Sequence, residues 1–321
     1  MTDRPPHDEA DFSRIRTVPV ARRPNKVRAE EFARPARAGA SFADFLDSLP
    51  DILKAADFRA IVDAIADAAR AKRAVVAMIG GHVTKTGLGP VMIDLMERGV
   101  ITHVATNGST VIHDYEMARF GGTSEDVEAG LGDGTFGMAE ETGREMNEAA
   151  QQGAAHGWGL GESYARALEQ RDDLAHPELS MLLAARRLGV GFTVHSAIGA
   201  EITHQHPAID GAAIGATSHT DFRRLAAQLV NLEGGVVLNI GSAVIMPEVF
   251  LKALTVCRNL NDGSPHAFVA ADFDMIRHYR PRMNVVQRPT RTGGGRGYEI
   301  TGHHELMIPL LAWAVAERLG R

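Results

Sequence analysis

The segment "EITHQHP" (residues 201–207) sets Glu201, His204 and His206 within six positions, with Asp210 close behind. Imidazole and carboxylate groups so grouped serve either as zinc or iron ligands or as general acid–base groups. An extended backbone would bring His204 and His206 to one side. A second stretch, "IGGHVTKTGLGP" (79–90), places His82, Thr84, Lys85 and Thr86 behind a glycine pair. It fits neither the G-x-G-x-x-G nor the G-x-x-x-x-G-K-[ST] spacing. Gly80 and Gly81 would still let backbone amides approach a ligand, and a helix start there favours an anion. "NGSTVIHDYE" (107–116) carries His113 and Asp114, and "GSAVIMPE" (241–248) and "DFDMIRHYRP" (272–281) are also polar, the latter with His278. "HH" at 303–304 is expected to cap the last helix, where Glu305 suits the positive N-terminal dipole.

Most of these segments follow a short apolar run. Strands are predicted at 74–79, 101–106, 191–196, 236–240 and 266–271. Helical spacing is read at 89–98, 110–120, 138–152, 159–170, 178–188, 218–232, 247–258 and 303–319. Near-continuous apolar strands separated by helices imply an α/β fold with a mostly parallel, doubly wound sheet of Rossmann type. Ligands of such a sheet sit beyond the carboxyl ends of its strands, which is where the unusual His, Asp and Glu content falls. Residues 1–40, rich in Pro and Arg, are expected to form an extended arm. It would be either a solvated tail or a strap across a neighbouring subunit. Residues 41–321 are expected to form one domain.

The chain has 321 residues, 34 basic against 40 acidic, so its net charge of −6 offers no general attraction for nucleic acid or an anionic membrane. No apolar run reaches a membrane span and no signal-peptide core begins the chain, so a cytoplasmic protein is expected. The lone Cys257 excludes an intrachain disulfide framework and a thiolate zinc site, and its apolar surroundings predict a packing role. Only five residues are lysines, and Lys85 is the one placed at a presumed site edge.

Taken together, the segments from about residue 70 to about residue 275 resemble deoxyhypusine synthase, an NAD-dependent family with a Rossmann-like fold and a tetrameric assembly. "GGHVTKTG" falls at that family's first cofactor turn, and "ATNGSTVIHDYE" at its second, with acidic residues behind. "LGVGFTVHSAIGAE" matches a strand and acid-bearing turn, with Glu201 the nearest acid. "DFRRLAAQLVNLEGGVVLNIGSAVIMPE" matches its helix, strand and triple-glycine turn, and "AFVAADFD" its later strand. The resemblance implies NAD held by Gly80, Gly81, Thr86 and Gly87, by Thr106, Asn107, Gly108 and Asp114, by Gly241 and Ser242, and by Asp272 and Asp274 near a ribose.

The departures are specific. Met246 and Pro247 stand where the family has Lys-His, and residues 275–321 contain neither a lysine nor a Trp-x-Lys motif. The family's imine-forming lysine is therefore missing. The expected activity is NAD-dependent chemistry on a small amine or amino acid, with Glu201, His204, His206, His113 and Lys85 as the replacement catalytic set. His204 or His206 would accept the amine proton, while Glu201 or Asp210 would hold the cationic substrate. Two alternatives stay open: a metal-dependent hydrolase using Glu201, His204 and His206, and a non-catalytic dinucleotide-binding protein. The resemblance also implies a homo-oligomer, a tetramer.

Overall fold

The computed structural model describes residues 8–320. Helices α1 (Phe42–Ser48) and α2 (Leu53–Arg70) lead into strand β1 (Val75–Ile79). Then come α3 (Gly81–Lys85), α4 (Gly89–Glu97), β2 (His103–Thr106) and α5 (Gly108–Phe120). An all-helical stretch follows, with α6 (Val127–Asp133), α7 (Glu140–His156), α8 (Leu160–Glu169) and α9 (Met181–Leu188). The chain closes with β3 (Gly191–Val194), α10 (Gly211–Gln228), β4 (Val236–Ile240), α11 (Ile245–Leu260), β5 (Val269–Asp274), β6 (Arg296–Thr301) and α12 (His304–Leu319).

All six strands are parallel and lie in the order β3-β2-β1-β4-β5-β6, a doubly wound Rossmann-like sheet. The strand order reverses between β1 and β4. Both strands there are buried along their whole length, as an apolar run covered on two faces must be. Phe58, Ile61, Val62 and Ile65 of α2 recur at helical spacing and pack with α4, α9 and α12 on one face. Leu225 of α10 and Phe250, Leu254 and Cys257 of α11 close the other.

Several elements depart from the sequence reading. β6 was not expected, because an edge strand reading Arg-Gly-Tyr-Glu-Ile-Thr buries only Ile300 fully. β5 lies three residues later than predicted. Asp272 and Asp274 belong to the strand and are buried, so the apolar run ends before the strand does. α10 starts at Gly211, capped by Asp210, whose carboxylate accepts the amides of Ala212 at 2.9 Å and Ala213 at 3.0 Å. Asp210 is therefore a helix cap.

Residues 8–40 carry three short 3-10 turns and are exposed almost throughout, including Phe12, Val18, Val20 and Phe32. This stretch meets the body where Arg34 N donates to Ser48 O at 2.9 Å and Asp51 N donates to Glu31 O at 2.8 Å. Residues 1–7 of the expected arm lie outside the described residues. No helix among the described residues is long and apolar enough to cross a membrane.

Candidate functional site

The strand order reverses at the ends of β1 and β4. Gly80 N donates to Ile240 O at 2.9 Å, and a Cβ on Gly80 would stand 2.2 Å from Gly241 O. Gly241 has φ +68°, and a Cβ there would stand 2.7 Å from the His304 ring. Only glycine fits at either position. His304 is buried at the start of α12, and its Nε2–H donates to Phe273 O at 3.2 Å. Its Nδ1, left as an acceptor, is buried with no partner among the described residues. The His82 ring lies 5.6 Å from that of His304. Burial chiefly, then His304 and Lys85, lowers the His82 pKa against the pull of Glu305 and Asp274.

Glu201 closes the neighbouring opening between β2 and β3. Its carboxylate accepts Gly108 N at 3.1 Å, Ala197 N at 2.9 Å and the Ser196 hydroxyl at 3.1 Å. A Cβ on Gly108 would stand 2.0 Å from that carboxylate. The N-terminus of α5, expected to face the cofactor, is thus occupied by an internal anion. His204 completes the cluster: Nδ1 accepts Gly199 N at 3.1 Å, and Nε2 lies 3.2 Å from Ser196 Oγ and 3.3 Å from Glu201. His206 points elsewhere, accepting Ala208 N at 3.1 Å and meeting Glu140 of α7 at 3.3 Å. Residues 202–205 form a 3-10 turn rather than an extended run, so the two rings diverge. Every imidazole nitrogen of His204 and His206 has a partner within the fold, and the two rings do not share one site. No group of three or more His, Cys, Asp or Glu among the described residues could hold a metal ion, so Glu201, His204 and His206 do not form the alternative metal site.

Several expected cofactor contacts are likewise committed to the fold. Asp114 accepts the Ser180 hydroxyl at 2.7 Å and the amides of Met181 at 2.7 Å and Leu182 at 3.2 Å, holding the start of α9. Burial nonetheless pushes its pKa up to about 6. Thr106 Oγ1 donates to Ile79 O at 2.7 Å, and Asn107 Oδ1 accepts Ser109 Oγ at 3.0 Å. Gly81 packs against Ser109, where a Cβ would stand 2.7 Å from Oγ. Thr86 Oγ1 donates to His82 O at 2.7 Å, and Gly87, at φ +83°, turns the chain between α3 and α4. Ser242 Oγ accepts Met246 N at 3.2 Å. Asp272 is tucked against the sheet and accepts Asn239 Nδ2 at 2.8 Å; burial first, then Asp274 and Glu299, raises its pKa to about 7. Asp274 reaches the strand end, accepting Met275 N at 2.7 Å with His278 Nε2 4.0 Å away.

A cavity of about 280 Å³ lies between α3, α5 and the loop after β3. Lys85, His113, Glu116 and Glu201 line it from the body. Its outer wall, including Glu125 and Phe136, belongs to residues 121–139, a flap built around α6. Gln205 Nε2, which donates to Phe136 O at 2.6 Å, ties the flap to the body, and within the flap Glu125 accepts Gly137 N at 3.0 Å. Inside, His113 Nδ1 lies 2.7 Å from Thr123 Oγ1, and Thr123 Oγ1 donates to Glu116 Oε2 at 2.5 Å. Thr142 Oγ1 donates to Glu116 Oε1 at 3.0 Å. Burial and then Lys85 lower the His113 pKa, and burial raises that of Glu116 against its two hydroxyl donors. Lys85 is exposed, and its Nζ has no ion-pair partner among the described residues.

Lys85, His113 and Glu201 are therefore brought together, while His204 sits behind Glu201 and His206 stands apart. The sequence reading missed Glu116, Thr123 and the buried face of His304. Glu116 carried a signal, lying three residues after His113 on one helix face. Thr123 carried none, since it lies beyond Gly121 and Gly122 in irregular chain.

No family model and no curated protein matches this sequence. Solved structures share its fold. A conserved putative LOR/SDH protein from Methanococcus maripaludis S2 superposes with a TM-score of 0.52 at 14% identity, over 84% of this chain and 72% of that one. AgrE, solved as a ternary complex with ornithine and NAD+, gives 0.52 at 14% identity over 83% of this chain. The match spans 33% of the AgrE chain. A putative deoxyhypusine synthase from Entamoeba histolytica gives 0.50 at 10% identity, over 86% of this chain and 93% of that one. These likenesses define the class by fold: a doubly wound α/β protein of the kind expected from the sequence.

Proposed function

We propose that this chain is an NAD-dependent enzyme acting on a small amine or amino acid. The observation that carries the reading is the juxtaposition of two spaces through one short helix. His82 of α3 stands 5.6 Å from His304 at the strand reversal, and Lys85 of the same helix lines the cavity with His113. A cofactor at the strand reversal and a substrate in the cavity would thus lie side by side, as ligands of open α/β sheets do.

The residues present at the crevice fit a dinucleotide. Gly80 and Gly241 carry no side chain at the strand reversal, where a doubly wound sheet places its ligands, and Nδ1 of His304 is a buried polar atom there with no partner among the described residues. Asp274, at the strand end, offers a carboxylate to ribose hydroxyls. Bound NAD would supply a hydride acceptor. The chain's own part is to orient and deprotonate the substrate: Lys85 can pair with an anionic group, and His113 is the base nearest the cavity. Glu201 shapes the cavity floor without being free to release its backbone partners. The AgrE complex with ornithine and NAD+ supports this pairing of cofactor and substrate class on such a fold.

The exposed apolar side chains of residues 8–40 support a homo-oligomer in which the arm lies on a neighbouring copy. The function is tested on the purified protein by denaturing it and identifying the released small molecules by absorbance and mass spectrometry. A nicotinamide dinucleotide supports the reading. If none is released and none binds on addition, the reading fails.

A further inference from the structure

We infer that His113, Thr123 and Glu116 form a proton relay, in which His113 Nε2 takes a proton from the ligand's ammonium group and Glu116 finally holds it. The inference deepens the reading above, because it takes the cavity's ligand to be an amine.

With Glu116 as a carboxylate, each hydrogen bond has one direction. Thr123 has one hydroxyl proton, and at 2.5 Å it points to Glu116 Oε2. Thr123 Oγ1 can then only accept from His113 Nδ1, 2.7 Å away. Neutral His113, which lines the cavity, accordingly carries its proton on Nδ1 and keeps the lone pair of Nε2 as its acceptor. When an ammonium N–H bond breaks and the proton bonds to Nε2, the Nδ1 proton passes to Thr123 Oγ1. The Thr123 hydroxyl proton passes in turn to Glu116 Oε2. The ring ends neutral with its proton on Nε2, Glu116 ends as a carboxylic acid, and the ligand as a neutral amine. One proton has moved from ligand to Glu116.

Charges around the ring favour this over a proton resting on the imidazole. Four charged groups face the cavity: Lys85 from α3, Glu116 from α5, Glu125 from the flap and Glu201 from the loop after β3. Lys85 disfavours a second cation beside it. Burial and Glu125 favour a neutral Glu116. His113 is the group that touches the ligand. Glu116 and Thr123 act through it as positioning residues, and Thr123 comes from the flap, so the relay is complete only with residues 121–139 seated.

The test uses histidine-labelled full-length protein and follows the His113 ring nitrogens by NMR from about pH 8 to about pH 5.5, where an imidazole ordinarily titrates. The expected result is a ring that stays neutral while its tautomer changes from Nδ1–H to Nε2–H as Glu116 takes up a proton. Thr123→Val should abolish the change and Thr123→Ser should restore it; a purely structural threonine would leave the tautomer unmoved. Should Thr123→Val not fold, Glu116→Gln decides in the same way, since an amide cannot take up the proton. An imidazolium forming at His113 in the unaltered protein, or a tautomer change that persists in the folded Thr123→Val or Glu116→Gln protein, would overturn the relay. The readout requires no cofactor, so a protein that bound no dinucleotide would sink the proposed function and leave the relay standing.

Discussion

Gly80 and Gly241 meet backbone to backbone where the strand order reverses, so closely that a methyl group on Gly80 would stand 2.2 Å from the Gly241 carbonyl oxygen. The obstacle is main chain on both sides and cannot swing away. Gly80→Ala is expected to destabilise the fold by about 1–3 kcal/mol, the usual cost of overpacking. It should also abolish dinucleotide binding by prising the crevice apart. Urea unfolding and titration calorimetry check both; unchanged stability with intact binding would refute the close approach.

Glu201 is expected to matter for stability before it matters for kinetics. Its carboxylate accepts two backbone amides and the Ser196 hydroxyl while touching His204, and its side chain is 5% exposed. Glu201→Gln should lower stability by about 1.5–3 kcal/mol, the scale of hydrogen bonds to a charged group. His204→Asn should be non-additive with it, because the two share one network. A raised KM with an unchanged melting temperature would instead make Glu201 a holder of the cationic substrate.

Asp272 sets a pH dependence of the opposite sense to that of a salt-bridged acid. Its folded pKa of about 7 lies above the ordinary carboxyl value of 3.8, so the folded state binds more protons than the unfolded chain between those values. Stability should be highest near the lower value and fall as pH rises toward 7, by up to about 1.4 kcal/mol per pH unit from this group. Asp221, also raised to about 7 by burial, adds to the same trend. Asp272→Asn keeps an acceptor for Asn239 and should flatten the curve. Urea unfolding across this range gives the answer, and a stability that climbs with pH, unchanged by the substitution, would contradict it.

The arm supplies a prediction about assembly. Light scattering of the full chain at micromolar concentration is expected to give a multiple of the 34.5 kDa chain mass, a tetramer on the family resemblance. Removing residues 1–40 should reduce that multiple. A monomer in the full chain would leave the exposed Phe12, Val18 and Phe32 without the proposed partner.

The legibility of the sequence followed the physics of each element. β1 and β4 were readable because both faces are covered and their residues are uniformly apolar. β6 was hidden by its edge position, and the end of β5 by two buried acids, of which Asp272 accepts Asn239 Nδ2 from the neighbouring strand. Polar residues gather at the strand ends, and of those expected at a site Lys85, His113 and Glu201 line one cavity. Glu201, His204 and His206 have the spacing of a ligand set, yet a 3-10 turn separates the rings and backbone amides claim the carboxylate. The His113–Thr123–Glu116 chain depends on a flap whose path only tertiary structure determines.

Calorimetric titration of NAD into the dinucleotide-free protein tests the central claim most directly. One saturable site per chain is expected, with NADP binding more weakly because its 2′-phosphate would meet the Asp274 carboxylate at the strand end. His304→Phe should weaken the NAD site by removing the unpartnered Nδ1 acceptor. No binding of NAD, or binding indifferent to both the 2′-phosphate and His304, would contradict a dinucleotide in the crevice between β1 and β4.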